Sequence, residues 1–147
     1  MTTVMESKLI IPALGPVYGR LDTLAETVLR VVAGGVLVVH GAQKIIDPMG
    51  SAGLVEMIGF YPGPFWSVLL SVSEFASGIL LVLGLLTRPA AVVATVILLV
   101  TVWFHWITVD QGFAGAEKSI LWAAMTIYFA IRGGNAHSLD ARLPREI

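Results

Sequence analysis

The chain has 147 residues, one domain's worth, with 56% hydrophobic and only 13% charged residues and a formal net charge of −1. That composition belongs to the membrane class and offers no basic surface for nucleic acid. Cysteine is absent, which excludes disulfides, thiolate metal sites and cysteine nucleophiles.

Residues 1–20 do not read as a signal peptide: Glu6 precedes the first basic residue, and Pro12, Gly15 and Pro16 break a short apolar run. They are expected to form a cytoplasmic tail or interfacial segment. A first apolar helix is predicted over about 21–46, with Asp22 or Thr23 as its cap. Its uncharged core, Val31 to Val39, is too short to span a bilayer alone, so Arg30 must snorkel, pair or face other helices.

Between 47 and 64, Ser51 or Gly53 can start a short helix ending near Ile58. The aromatics Phe60, Tyr61, Phe65 and Trp66 follow, suited to a headgroup boundary, so this stretch is expected to be an interfacial helix, with an irregular loop as the alternative. A second span is predicted over 65–86, with Glu74 its only charge. Ser67, Ser71, Glu74, Gly78 and Leu85 share one stripe, small or polar except for the last, which marks a helix-facing side.

The third span, 89–109, is free of formal charge and matches the hydrocarbon core in length. His105 lies between Trp103 and Trp106 near its far end, as in an aromatic belt. The fourth, 112–131, carries Glu117 and Lys118 in its first turns and stops at Gly133 and Gly134. Residues 133–147 are a polar tail outside the membrane. The expected fold is thus an all-α integral membrane bundle of four transmembrane helices, with a membrane domain over 21–132.

Four spans put both termini on one side. Lys8, Arg20, Arg88, Arg132, Arg142 and Arg145 fall there, against Lys44 and Lys118 opposite. The positive-inside rule then makes both termini cytoplasmic. Helical rise sorts the intramembrane polar groups into two layers. An inner pair joins Arg30 and Glu74, and an outer group holds His40, Gln43, Lys44, His105 and Glu117.

Charges at such depth are costly unless paired or functional. The inner pair reads either as a structural ion pair that orders helices, or as a proton relay or ligand wall. The outer group reads as a quinone-type headgroup site, as a metal site of two histidines and a glutamate, or as a solvated mouth whose groups satisfy one another. The metal reading is weakest because no local ligand motif supports it, and haem ligation by two histidines has nothing further behind it. Gly34, Gly35, Gly41, Gly78 and Gly84 are expected to admit close helix approach.

Four stretches then carry a resemblance: LRVVAGGVLVVHGAQKI from Leu29, SEFASGILLVLGLLTRPAAVV from Ser73, GAEKSILW from Gly115 and GGNAHSLDARL from Gly133. In that order they resemble the DoxX family of small four-helix bacterial membrane proteins. The pattern carries onto Arg30, Gly41, Lys44, Glu74, Gly84, Gly115, Glu117, Ser138 and Asp140. The resemblance implies an inner-membrane subunit linked to quinol or thiosulfate–quinone oxidoreductase systems, acting with a partner subunit.

The expected function is therefore a quinone- or quinol-interacting membrane subunit, with quinone as the only cofactor expected and no metal or haem. The expected partners are the lipid bilayer and a protein subunit or second copy, with no nucleic acid. A non-catalytic accessory or scaffold subunit of a larger respiratory complex is the alternative. A transporter fits less well, since polar groups are few and no internal repeat is visible.

Overall fold

The computed structural model describes residues 9–144, and every regular element among them is helical. Lys8 and Arg145, counted in the charge balance above, lie outside that range. A 3₁₀ turn over Pro12–Leu14 leads into α1, Gly15–Ile46; α2 is Ala52–Met57, α3 Gly63–Leu83, α4 Thr87–Trp103 and α5 Gly112–Arg132. A π-helical turn, Phe104–Thr108, extends α4, and a 3₁₀ turn, Asp140–Arg142, closes the described chain.

The first helix starts at Gly15 rather than near Leu21, with Pro16 in its first turn. Proline suits that position, since its missing N–H would have no helical partner there. Asp22 and Thr23 are therefore interior to α1 and cap nothing. Pro64 plays the same role in α3, which begins two residues before the expected start. That helix also ends earlier than expected, at Leu83, because Gly84 takes φ +65°. Gly84 N–H bonds Leu81 O and Leu85 N–H bonds Leu80 O, the paired closure that a left-handed glycine allows.

Three helical stretches, Pro12–Ile46, Gly63–Leu83 and Thr87–Thr108, are long and apolar enough to cross a membrane. α5 has the length but is diluted by Glu117 and Lys118 in its first turns. The short helix after α1 is present as α2, close to where the sequence placed it.

The four long helices run alternately up and down. α1 packs along α3, α3 along α4 and α4 along α5, while α5 meets α1 more lightly. The helix-facing stripe of α3 is real: Ser67, Ser71, Glu74, Ser77, Gly78 and Leu81 are all buried. A Cβ built on Gly34 would lie 2.7 Å from Gly78 O, and one built on Gly78 would lie 2.8 Å from Val38 N. The two backbones cross with no room for a side chain, and this crossing fixes how α1 and α3 are aligned lengthwise. Gly35, one residue on, meets nothing within 4 Å.

Polar bonds tie α1 to α5 and to the segment that follows it. Trp122 Nε1 donates to Ala33 O at 3.0 Å, Tyr128 OH and Arg132 donate to the Glu26 carboxylate, and Asn135 Nδ2 donates to Thr23 O at 3.0 Å and Thr27 Oγ1 at 2.9 Å. The apolar core is small: Leu37, Leu81, Ala90, Ala91, Ala94 and Phe129. Large hydrophobics stand outward instead, among them Val28, Val32, Val96, Leu99, Trp103 and Leu121. Such a surface would drive aggregation in water and is stable only against lipid.

Candidate functional site

Arg30 sits in α1 and is 1% exposed. Its Nη1 donates to Leu81 O at 2.6 Å and Val82 O at 3.1 Å, and its Nη2 donates to His137 O at 3.2 Å. The guanidinium therefore lies on the last carbonyls of α3, where the helix leaves acceptors unpaired and its dipole is negative. The expected Arg30–Glu74 pair is not made. Gly41 abuts Phe75, so Glu74 stands level with the Gly41 turn of α1. Arg30 is about eleven residues further along, roughly 16 Å at helical rise, beyond any side chain's reach.

Asp140 completes this end of the bundle. Its Oδ1 accepts from Leu86 N at 2.7 Å and its Oδ2 from Thr87 N at 2.9 Å, capping the start of α4. Leu86 itself holds φ +48°, a conformation that a leucine adopts only under constraint. Asp140 N–H also donates to Gly84 O at 2.8 Å. A Cβ on Gly84 would fall 2.4 Å from Arg30 Nη1 and 2.6 Å from Ser138 Cβ. Arg30, Gly84, Ser138 and Asp140 thus form one knot around the α3–α4 turn. The segment that composition marked as a polar tail is docked, with Ser138 and Asp140 buried. Only the family pattern, which includes those two positions, signalled this.

Glu74 is paired instead with Lys44, whose Nζ donates to Glu74 Oε2. The Glu74 side chain is 5% exposed and that of Lys44 33%. Ser71 Oγ donates to Ser67 O at 2.8 Å, and Ser67 Oγ donates to Pro48 O at 2.7 Å while accepting from Ser51 N at 3.1 Å.

Beside this pair opens a cleft of about 520 Å³, bounded by α1, α2, α3, α4 and the π turn. That is within the size range of small-ligand sites. Its wall is mostly apolar, including Leu69, Leu70, Val92, Val96 and Trp66, and His40, Lys44 and His105 are its ionisable members. α1 and α4 pack little against each other, so the cleft is where their side chains come to share a surface. His40 Nδ1 lies 2.9 Å from Val36 O, and its ring stands edge-on to Trp122 with centroids 5.4 Å apart. His105 Nδ1 lies 2.7 Å from Gln111 Oε1. The π turn carries His105, and local π geometry is a frequent feature of functional positions.

Of the six candidate residues, the fold brings His40, Lys44 and His105 to one cleft, with Glu74 behind Lys44. Arg30 belongs to the opposite end of the bundle. Glu117 is exposed on α5, none of whose residues line the cleft. Trp122, which seats His40, carried no polar signal in the sequence.

Apolar helices with outward hydrophobics, buried charges in two separate layers and an apolar cleft define a small polytopic helical membrane protein. A DoxX family model matches residues 25–106, and the chain belongs to that family. It is also 29% identical over 118 residues to an uncharacterised protein of Haemophilus influenzae, covering 76% of this chain and 85% of that protein. No solved structure gives a significant match.

Proposed function

We propose that this protein spans the bacterial inner membrane four times, with both termini cytoplasmic, and binds the headgroup of a quinone or quinol in the cleft. The observation that carries this is the cleft itself: a mostly apolar wall interrupted by His40, Lys44 and His105. A ring with oxygens needs a few hydrogen-bonding groups in an apolar pocket, and this lining supplies both. α5 is taken as the fourth span because it runs alongside α4 for most of its length and its two early charges fall at the bundle end. Arg20, Arg88, Arg132 and Arg142 at the other end favour a cytoplasmic placement of the termini.

The test is organic extraction of the protein purified in mild detergent, followed by chromatography for isoprenoid quinones. Native protein is expected to carry quinone, and a folded Leu70→Trp variant, which narrows the cleft, to carry less. A native protein that yields no quinone but co-purifies with an oxidase would establish the accessory-subunit role instead. Cysteines placed at Asp47 and Ala136 test the orientation: an impermeant maleimide applied to intact cells should label only the first.

A further inference from the structure

α1 is longer than a membrane needs. Its 32 residues run unbroken from Gly15 to Ile46, about 48 Å at helical rise against about 30 Å of hydrocarbon. The surplus lies at the N-terminal end. Arg30 bonds the last carbonyls of α3, so residues 15–29 overhang α3 by about 20 Å. The helix is continuous, so this overhang extends the line of the membrane-spanning part and cannot lie flat on the bilayer.

One face of the overhang is taken by the protein itself. Thr23 O and Thr27 Oγ1 accept from Asn135, and the Glu26 carboxylate accepts from Tyr128 and Arg132. The opposite face is apolar and exposed. Leu14, Val17, Leu21, Leu24, Val28 and Val31 follow one another at alternating steps of three and four residues, and they are 37% to 54% exposed. That alternation is the a/d seam of a coiled coil. Beyond the bilayer such a stripe stands in water, where it needs a cover.

We propose that this face binds the same face of a second copy, joining two chains by a parallel coiled coil of their α1 overhangs. All copies insert in one orientation, so two α1 helices meet parallel and at the same level, as the seam requires. The charges also fit. Arg20 and Asp22 are exposed, one residue to either side of Leu21, and so lie about 100° from it on opposite flanks. A parallel two-fold pair sets the flank carrying Arg20 against the flank carrying Asp22 of the other copy, once on each side. The six half-exposed side chains offer roughly 500 Å² per copy, so a pair covers roughly 1,000 Å², the size at which an interface becomes specific. A shared membrane orientation lowers the rotational cost of closing it.

The test is disulfide cross-linking of the full-length protein in native membranes, where each introduced cysteine is the chain's only one. Leu21→Cys and Leu24→Cys are expected to give dimers on mild oxidation. Gly19→Cys lies at the same depth but on the side away from the seam, exposed and with nothing within 4 Å. It is expected to give at least about fivefold less dimer, since its counterpart would be beyond disulfide reach. Adding Val17→Asp and Leu21→Asp to Leu24→Cys, with helicity checked, sets like charges face to face and should cut the dimer at least about fivefold. Equal cross-linking of Gly19→Cys and Leu21→Cys, or none at Leu21 and Leu24, overturns the proposal. So does a Leu24→Cys dimer that survives both added charges. A Leu21→Cys product of a mass other than twice the chain gives the face to a different protein and overturns the second copy. The cleft takes no part in these outcomes, so ligand binding there stands or falls separately.

Discussion

Arg30 and Asp140 cap opposite sides of one three-residue turn. The guanidinium donates to the Leu81 and Val82 carbonyls that end α3, and the carboxylate accepts from the Leu86 and Thr87 amides that begin α4. Each charge meets the helix end of opposite polarity. The two charges make no direct ion pair with each other; each is spent on the backbone of the turn.

Removing the carboxylate should therefore cost more than a surface change. Asp140→Ala leaves two amides without acceptors at a largely buried turn and removes the constraint on the strained Leu86. The expected loss is about 2–4 kcal/mol, from two charge-assisted bonds and a helix cap. Asp140→Asn keeps one acceptor oxygen and should lose roughly half as much. Denaturant unfolding in detergent, read by circular dichroism, checks both, and equal stability of Asp140→Ala and the native protein would contradict the capping role.

Arg30→Lys is not a mild change here. A single ammonium cannot reproduce the forked donation to Leu81, Val82 and His137. The variant should be destabilised by about 1–3 kcal/mol. It should also loosen the docked Asn135–Arg142 segment, seen as faster proteolysis after residue 134. Unaltered cleavage would show that the segment is held by Asp140 and Asn135 alone.

The Gly34–Gly78 crossing makes a paired forecast. Gly78→Ala places a methyl 2.8 Å from Val38 N and must push α1 and α3 apart. The expected cost is about 1–3 kcal/mol for overpacking. Gly35→Ala, with open space around it, should be neutral or stabilising by up to about 1 kcal/mol from helix propensity. The same unfolding assay ranks the two, and a larger loss for Gly35→Ala would refute the crossing.

Lys44 and Glu74 should behave as a coupled pair. Lys44→Met strands a buried carboxylate and is expected to cost about 1–3 kcal/mol, discounted because Lys44 is one-third exposed. Lys44→Met combined with Glu74→Leu should recover much of that loss, since neither charge then remains. A double variant as unstable as the sum of the singles would mean that the two do not interact.

The helices were legible because their signals are local. Runs of apolar residues near bilayer length, prolines at first turns and glycines at ends are properties of consecutive residues. α2, the small-residue stripe of α3 and the stop at Gly133 could be read this way. The early stop at Gly84 could not, because Leu85 and Leu86 continue the apolar run and hide the turn.

Pairing across helices is a different matter. The sequence alone determined that Arg30, Glu74, His40, Lys44 and His105 would lie in apolar helices and require partners. It could not choose the partners, because that depends on how far α1 slides along α3. The tertiary structure decided it through Gly34, Gly78 and Gly41, whose missing side chains let the backbones meet at a single alignment. That alignment puts Lys44, not Arg30, beside Glu74. It sends Arg30 to the end of α3, where a tail residue more than 100 positions away completes the cap. Glu117, on α5, stays outside the cleft that His40, Lys44 and His105 share.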